Sequence, residues 1–488
     1  MLFPTVDFAI FFTAAFAANW LLNPYPRVWK AAMVAASYLF YSWWDWRFVF
    51  LLAGATAVAH LGARRVRLAG SERRRRLWLA GSVTALLGML AWFKYYGFVA
   101  VNVDGLSHHL GGGNVVPLLS ITLPVAISFF TFMAVSYVVD VFRGRIDPAP
   151  ASEVAVYLSF FPHLVAGPIV RGGELLPQIR ARRDPGAVEF ARGALLVTVG
   201  LFKKVVISSY VASAIVDPVF SVPRQHSAPE ILFALYGYAV QIYADFSGYT
   251  DIAIGCALLL GFRFPENFDA PYTARTLQDF WRRWHMTLSR WLRDYLYIPL
   301  GGNSGSRARL WRNIVITMVL GGLWHGAAWT FVAWGALHGL GQVAGHERRR
   351  RREARGLPAM AEGPWRVALQ RVTTFHMVCL AWLFFRADSL SSARLLLERL
   401  FTAWGPAPLV TPLLVATLAA VVGVQYLPRD ILVRAHAAFA RQRLAVQGAA
   451  LGGALLAITT LGPQGGAPFI YYRFGPMTPH PTTPTRPH

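Results

Sequence analysis

Long apolar runs alternate along the chain with short clusters of basic residues, and this alternation predicts a polytopic α-helical membrane protein. Runs near 6–22, 31–45, 47–62 and 77–93 are predicted as spans, and residues 115–142 as another. The segment 152–170 is shorter and is interrupted by Pro162, Gly167 and Pro168. Basic clusters flank it on both sides, so the parity of the loops favours a re-entrant or interfacial piece over a full crossing. His163, in this piece, reads as structural or pore-lining. Further spans are predicted at 188–216, 229–260, 366–385, 408–427 and 446–462, with a short amphipathic piece at 390–404. Run lengths give about eleven or twelve membrane helices in one transmembrane domain, residues 1–475. The Pro- and Thr-rich tail 476–488 is expected to be disordered.

One stretch stands apart. Residues 313–346 contain no Asp, Glu, Lys or Arg, yet carry His325 midway. An ionisable side chain at membrane depth costs free energy that a partner or a task normally justifies. A neutral imidazole hydrogen-bonded inside a bundle remains the plain alternative.

The segment 275–298 (RTLQDFWRRWHMTLSRWLRDYLYI) places its Leu, Phe, Trp and Tyr residues on one half of a helical wheel. Arg282, Arg283, Ser289, Arg290 and Arg293 fall on the other half, and His285 on the boundary. Such a helix lies along the membrane surface or lines a polar cavity. The glycines and Asn303 of the link PLGGNSGSRARLW mark a turn. If both flanking segments are continuous helices, His285 and His325 stand roughly 18 to 20 Å from that turn at about 1.5 Å per residue, and an antiparallel pair brings them to one depth. The small residues Gly321, Gly322, Gly326, Ala327 and Ala328 allow close approach of a neighbouring helix or an acyl chain.

Two imidazoles at one depth suit general-base chemistry on a hydroxyl, one taking the proton and the other orienting a substrate. The Arg residues suit a phosphate-bearing donor such as a coenzyme A or phosphopantetheine thioester, and equally a face turned to lipid headgroups. Metal binding by the two histidines needs further ligands that the sequence does not place. Asp245 and Asp251, in QIYADFSGYTDIAIG, read as members of ion pairs with Lys203, Lys204 or downstream arginines. A proton-coupled transporter uses the same residue types and stays open at this point.

Composition narrows the class. The chain has 488 residues, 55% of them hydrophobic and 15% charged, with mean hydropathy +0.41. Its formal net charge of +23 is gathered between the apolar runs, as at Arg73–Arg76 and Arg348–Arg352. That is positive-inside patterning, with the N-terminus outside, and not a nucleic-acid footprint. Asp7 replaces the basic flank of a cleaved signal peptide, so the first run is expected to stay in the bilayer. Cys256 and Cys379 show neither disulfide-framework nor zinc spacing.

Eight pieces of the chain resemble the membrane-bound O-acyltransferase (MBOAT) family, in its bacterial branch that serves alginate O-acetylation and, more distantly, D-alanyl transfer to teichoic acid. They are ISFFTFMAVSYVVDVFRG (127–144), FFPHLVAGPIVR (160–171), QIYADFSGYTDIAIG (241–255), GFRFPENFDAPY (261–272), FWRRWHMTLSRWLRDYLYIPLGGN (280–303), GGLWHGAAWTFVAWGALHG (321–339), WLFFRADSL (382–390) and PFIYYRF (468–474). Met133 and His163 depart from the Gln expected at those positions in close relatives. The resemblance implies an all-α multi-pass fold with re-entrant and interfacial helices and a funnel from each leaflet meeting at a catalytic His. It maps that His onto His325, with His285 as the second family His; beside this mapping, Arg282, Arg283, Arg290, Arg293, Ser289, Trp324, Asp245 and Asp251 are the candidates for donor-binding or supporting roles. The resemblance implies no bound cofactor and an acetyl-coenzyme A or acyl-carrier thioester as donor. The acceptor it implies is an extracytoplasmic polysaccharide such as alginate, reached from the bacterial inner membrane with a periplasmic acetyltransferase as partner.

Overall fold

The apolar runs fold as helices, and among the described residues there is no strand. The structure, a computed structural model, describes residues 1, 3–357 and 363–462. The tail 476–488 and the motif at 468–474 lie outside the described residues. Five helices are long and apolar enough to cross a bilayer: Arg47–Leu68, Glu72–His109, Phe190–Ser221, Pro364–Arg386 and Leu444–Leu461. Three shorter apolar helices, Val6–Leu21, Ile127–Phe142 and Pro412–Val424, accompany them.

Helix Ala228–Leu259 is buried through most of its length and forms the core post. It runs antiparallel to Phe190–Ser221, and glycines let the two backbones touch. A Cβ on Gly200 would stand 2.5 Å from the Gly248 carbonyl oxygen, and one on Gly255 2.6 Å from that of Gly193. Across this seam Lys203 pairs with Asp251 at 2.7 Å, and Lys204 pairs with Asp245. The ion pairing read from the sequence is what the structure contains.

Four expectations change. Residues 115–126 are not helical; the helix starts at Ile127, after Ala126 in the left-handed region (φ 66°). Pro117 and Pro124 remove backbone donors there, and Asp104 accepts the N–H groups of Val115 and Val116 at 2.8 and 3.0 Å instead. The piece 152–170 divides into Ala151–Ser159 and the single turn Phe161–Leu164, packed inside the protein. His163 is fully buried there and bonds through Nε2 to the Tyr157 carbonyl at 3.0 Å, the structural half of its reading. A further helix, Arg429–Ala440, appears where no element was expected.

The fourth change decides the site. Neither segment that carries a key histidine is a continuous helix. The segment 275–298 breaks into Leu277–Trp281 and Met286–Leu292, with His285 between them at φ 41°. The apolar run 313–346 breaks after His325, where Arg307–His325 ends and Trp329–Glu353 begins. These two form an antiparallel hairpin whose backbones touch. A Cβ on Gly322 would lie 2.2 Å from the Phe331 carbonyl oxygen, and one on Gly335 2.4 Å from that of Met318. The small residues admit a neighbouring helix, and that neighbour is the other arm of the same hairpin.

Candidate active site

The hairpin puts His325 at its apex rather than midway along a span. Extended backbone at Gly326 (φ −161°, ψ 148°) ends the helix there, and the ring of Phe331 occupies the space a Cβ would need. The last carbonyls of a helix lack intrahelical donors. Here the donors come from the long helix Glu72–His109: Tyr95 Oη donates to the Leu323 carbonyl at 2.8 Å, and Lys94 Nζ donates to the Trp324 carbonyl. Lys94 also donates to Ser128 Oγ at 3.1 Å and stands 5.7 Å from the centre of the Trp324 ring. A side-chain donor at a helix C-terminus meets the carbonyls that the helix itself leaves open. Among the described residues Lys94 makes no ion pair, unlike Lys203 and Lys204. The His325 ring is walled by Trp324, Trp334 and Phe385, with centroids at 5.0, 5.3 and 5.1 Å, and the residue is 4% exposed.

His285 reaches the same place from a different element, its ring 6.4 Å from that of His325. The two rings come together, as two straight helices were expected to bring them, but for another reason. The loop 267–269 competes with the helical ladder for the backbone around His285. Asp269 N–H donates to the Arg283 carbonyl and Met286 N–H to the Asn267 carbonyl, each at 2.9 Å. His285 itself sits in the left-handed region, a conformation that costs a non-glycine residue about 1–2 kcal/mol. It is fully buried, with Phe246 edge-on at 4.7 Å and the Trp324 ring at 5.9 Å.

The remaining sequence candidates divide. Trp324 lies against both imidazoles and so belongs to the site. Ser289 turns its hydroxyl to the Trp284 carbonyl at 3.3 Å. Three of the four arginines are engaged by carboxylates: Arg283 with Asp279 at 2.9 Å, Arg290 with Glu174 at 3.3 Å and Arg293 with Asp294 at 2.7 Å. Arg282 is exposed. Asp245 and Asp251 stay within their lysine pairs on the core post. Among the described residues no three His, Cys, Asp or Glu side chains gather at metal-ligand spacing.

The sequence reading did not single out Lys94, Tyr95, Asn267 or His338. His338 is a third buried imidazole, accepting at Nδ1 from Trp281 Nε1 at 3.2 Å. A signal existed for Lys94: between Arg76 and Asp104 it is the one charged side chain. A span closed at 93 stops one residue short of it, whereas the helix runs on to His109.

Two buried imidazoles 6.4 Å apart among aromatic side chains can pass a proton between a hydroxyl and a leaving group. The family profile described as MBOAT, membrane-bound O-acyltransferase family, matches residues 118–384, which include both histidines. The chain belongs to the membrane-bound O-acyltransferase family. It is 39% identical over 407 residues to the probable alginate O-acetylase AlgI of Pseudomonas aeruginosa, covering 82% of this chain and 75% of that one. It is 35% identical over 414 residues to a peptidoglycan O-acetyltransferase of Helicobacter pylori, covering 78% and 74%. The likeness to the teichoic acid D-alanyltransferase of Bacillus subtilis is thinner, 25% over 272 residues, covering 54% and 68%. This membrane-bound O-acyltransferase is thus an all-α, multi-pass membrane enzyme that takes an acyl donor substrate.

Proposed function

We propose that the enzyme moves an acetyl group from a cytoplasmic thioester across the bacterial inner membrane for O-acetylation of an extracytoplasmic polysaccharide, with alginate standing for the acceptor class. The observation that carries this reading is the His285–His325 pair, 6.4 Å apart at the apex of the hairpin. One imidazole takes the proton of an acceptor hydroxyl as its oxygen attacks the thioester carbonyl carbon. The carbon–sulfur bond then breaks, the imidazolium returns the proton to the sulfur, and an ester and a free thiol leave. Burial excludes the water that would hydrolyse the thioester.

In this reading the exposed Arg282, which no carboxylate holds among the described residues, meets the phosphates of coenzyme A or of a carrier's phosphopantetheine. Arg283, Arg290 and Arg293, held by carboxylates, shape that face. The names of the O-acetylating relatives, longer matches than the D-alanyltransferase, favour acetyl over D-alanyl. A separate periplasmic acetyltransferase finishes the transfer to polymer.

The test is direct. His325→Ala should insert into membranes at the normal level and release no thiol from acetyl-coenzyme A or an acetylated carrier in the presence of acceptor; full turnover in this variant overturns the role. Mass spectrometry of surface polymers from cells carrying the wild-type or His325→Ala protein should show one ester missing in the variant, and that ester names acyl group and acceptor. No change in any ester, together with solute flux into sealed vesicles that needs no thioester, would instead make the protein a transporter.

A further inference from the structure

Asn267 is 1% exposed and its side-chain oxygen is the acceptor for three donors. The Thr287 backbone N–H reaches it at 3.1 Å, the Thr287 hydroxyl at 2.9 Å and His285 Nδ1 at 3.1 Å. A backbone N–H can only donate. The atom it points at is therefore the amide oxygen, and the imidazole nitrogen beside the same oxygen must carry its proton at Nδ1. The other ring nitrogen, Nε2, is left with a lone pair. That atom is buried and has no hydrogen-bond partner among the described residues. So does Asn267 Nδ2, on the same side chain. Other buried side chains also carry atoms without partners, so what distinguishes His285 Nε2 is its place: the ring that bears it is held at Nδ1 and stands 6.4 Å from the His325 ring.

The aiming uses every level of the local structure. Thr287 is itself fixed, its hydroxyl oxygen accepting the Ile169 N–H at 3.0 Å. The 267–269 loop brackets the His285 turn with two backbone bonds, and His285 accepts left-handed geometry within that bracket. Strain of this kind persists only where the surroundings over-determine it.

We propose that Asn267 is a positioning residue that fixes the Nδ1–H tautomer of His285, so that His285 Nε2 is the atom which accepts the hydroxyl proton of the incoming acceptor. This deepens the proposed acyl transfer and rests on it. A lone pair at Nε2 can receive an O–H but cannot donate to an acyl carbonyl. The sequence reading has His325 as base and His285 positioning the acyl carbonyl or the donor; the proposal gives the proton-accepting lone pair to His285. As the hydroxyl oxygen bonds to the carbonyl carbon, its proton moves to Nε2; when the carbon–sulfur bond breaks, the same proton passes to the sulfur, and His285 returns to its starting tautomer.

The experiment is a double-mutant cycle on the full-length protein in detergent or vesicles, with acetyl-coenzyme A or an acetylated carrier as donor and thiol release as the readout. Asn267→Leu should lower turnover roughly 100-fold while the half-saturating donor concentration stays within about twofold. Asn267→Asp, which restores an acceptor for Nδ1–H, should recover activity to within about tenfold of wild type. In a His285→Ala background, adding Asn267→Leu should cost no more than about twofold, because its effect runs through the missing ring. The proposal is overturned if Asn267→Leu keeps wild-type turnover while His285→Ala abolishes it, or if the Asn267→Leu penalty is the same in both backgrounds. Wild-type turnover in His285→Ala sinks the acyl-transfer role of His285 itself, a separate result. If Asn267→Leu fails to accumulate, Asn267→Ser, whose side chain is too short to reach Nδ1, takes its place in the cycle.

Discussion

His285 and His325 stand 6.4 Å apart, yet the chain mounts them in opposite ways. His285 is aimed through its own ring: Asn267 grips Nδ1, and the backbone bends into left-handed geometry to suit. His325 is placed by its helix, whose final carbonyls are held by Lys94 and Tyr95 from a neighbouring span, while aromatic rings wall the imidazole. A ring-level grip fixes which nitrogen carries the proton. A helix-level grip fixes where the ring stands. An acyltransferase that passes a proton between two substrates arriving from different sides needs one of each, and mutations should separate the two kinds of mount.

The largest effect is expected from removing a ring. His285→Ala and His325→Ala should each lower thiol release by roughly 1,000-fold or more, and the double variant should be little worse than either, because groups acting as a unit are not additive. Independent losses that multiply in the double variant would show two separate roles instead of one pair.

Breaking the hairpin comes next. At Gly322 a side chain would collide with the backbone of the opposite arm, 2.2 Å from the Phe331 carbonyl oxygen. Backbone cannot retreat as a flexible side chain can, so Gly322→Leu should destabilise the folded protein by roughly 3 kcal/mol. Thermal unfolding in detergent would register the loss, and His325, at the apex, should lose its place before His285 does. Unchanged stability would mean that the arms do not pack as described.

The same comparison explains what the sequence disclosed. The helices with strong apolar runs and the Lys–Asp pairs were legible, since each follows from run length or charge, whereas the meeting of the two histidines was reached from two straight helices that the structure does not contain. The two breaks were not legible. His285 and His325 each lie inside a pattern that reads as one helix, and tertiary bonds from Asn267, Asp269, Lys94 and Tyr95 outweigh the local preference. Those partners are distant in sequence, up to 230 residues in the case of Lys94 and Trp324, and no local periodicity reports them. A lone Lys in an apolar run was the one available clue.

Weakening the clamp tests the second mount alone. Lys94→Met keeps the length of the side chain but removes the donor, leaving the Trp324 carbonyl without it at a cost of about 1–3 kcal/mol. Turnover should fall roughly 10- to 100-fold, with Tyr95→Phe weaker, at about tenfold. If the clamp acts on His325 alone, the loss caused by Lys94→Met should vanish in a His325→Ala background and persist in Asn267→Leu. A loss that persists in both would give Lys94 a contact with substrate of its own.

The smallest expected effect lies outside both mounts, on the arginine face, and it separates binding from chemistry. Arg283, Arg290 and Arg293 are committed to carboxylates, so changing any of them also disturbs a carboxylate partner. Arg282 is exposed, three residues before His285. An exposed charge–phosphate contact contributes about 0.2–1 kcal/mol, which corresponds to a rise of up to about fivefold in the half-saturating donor concentration. Arg282→Ala should show that rise, diminished by added salt, with maximal turnover unchanged. A drop in turnover would tie this face to the aiming of His285 through the adjoining turn, and a donor affinity that does not move at any salt concentration would leave the face to the lipid headgroups.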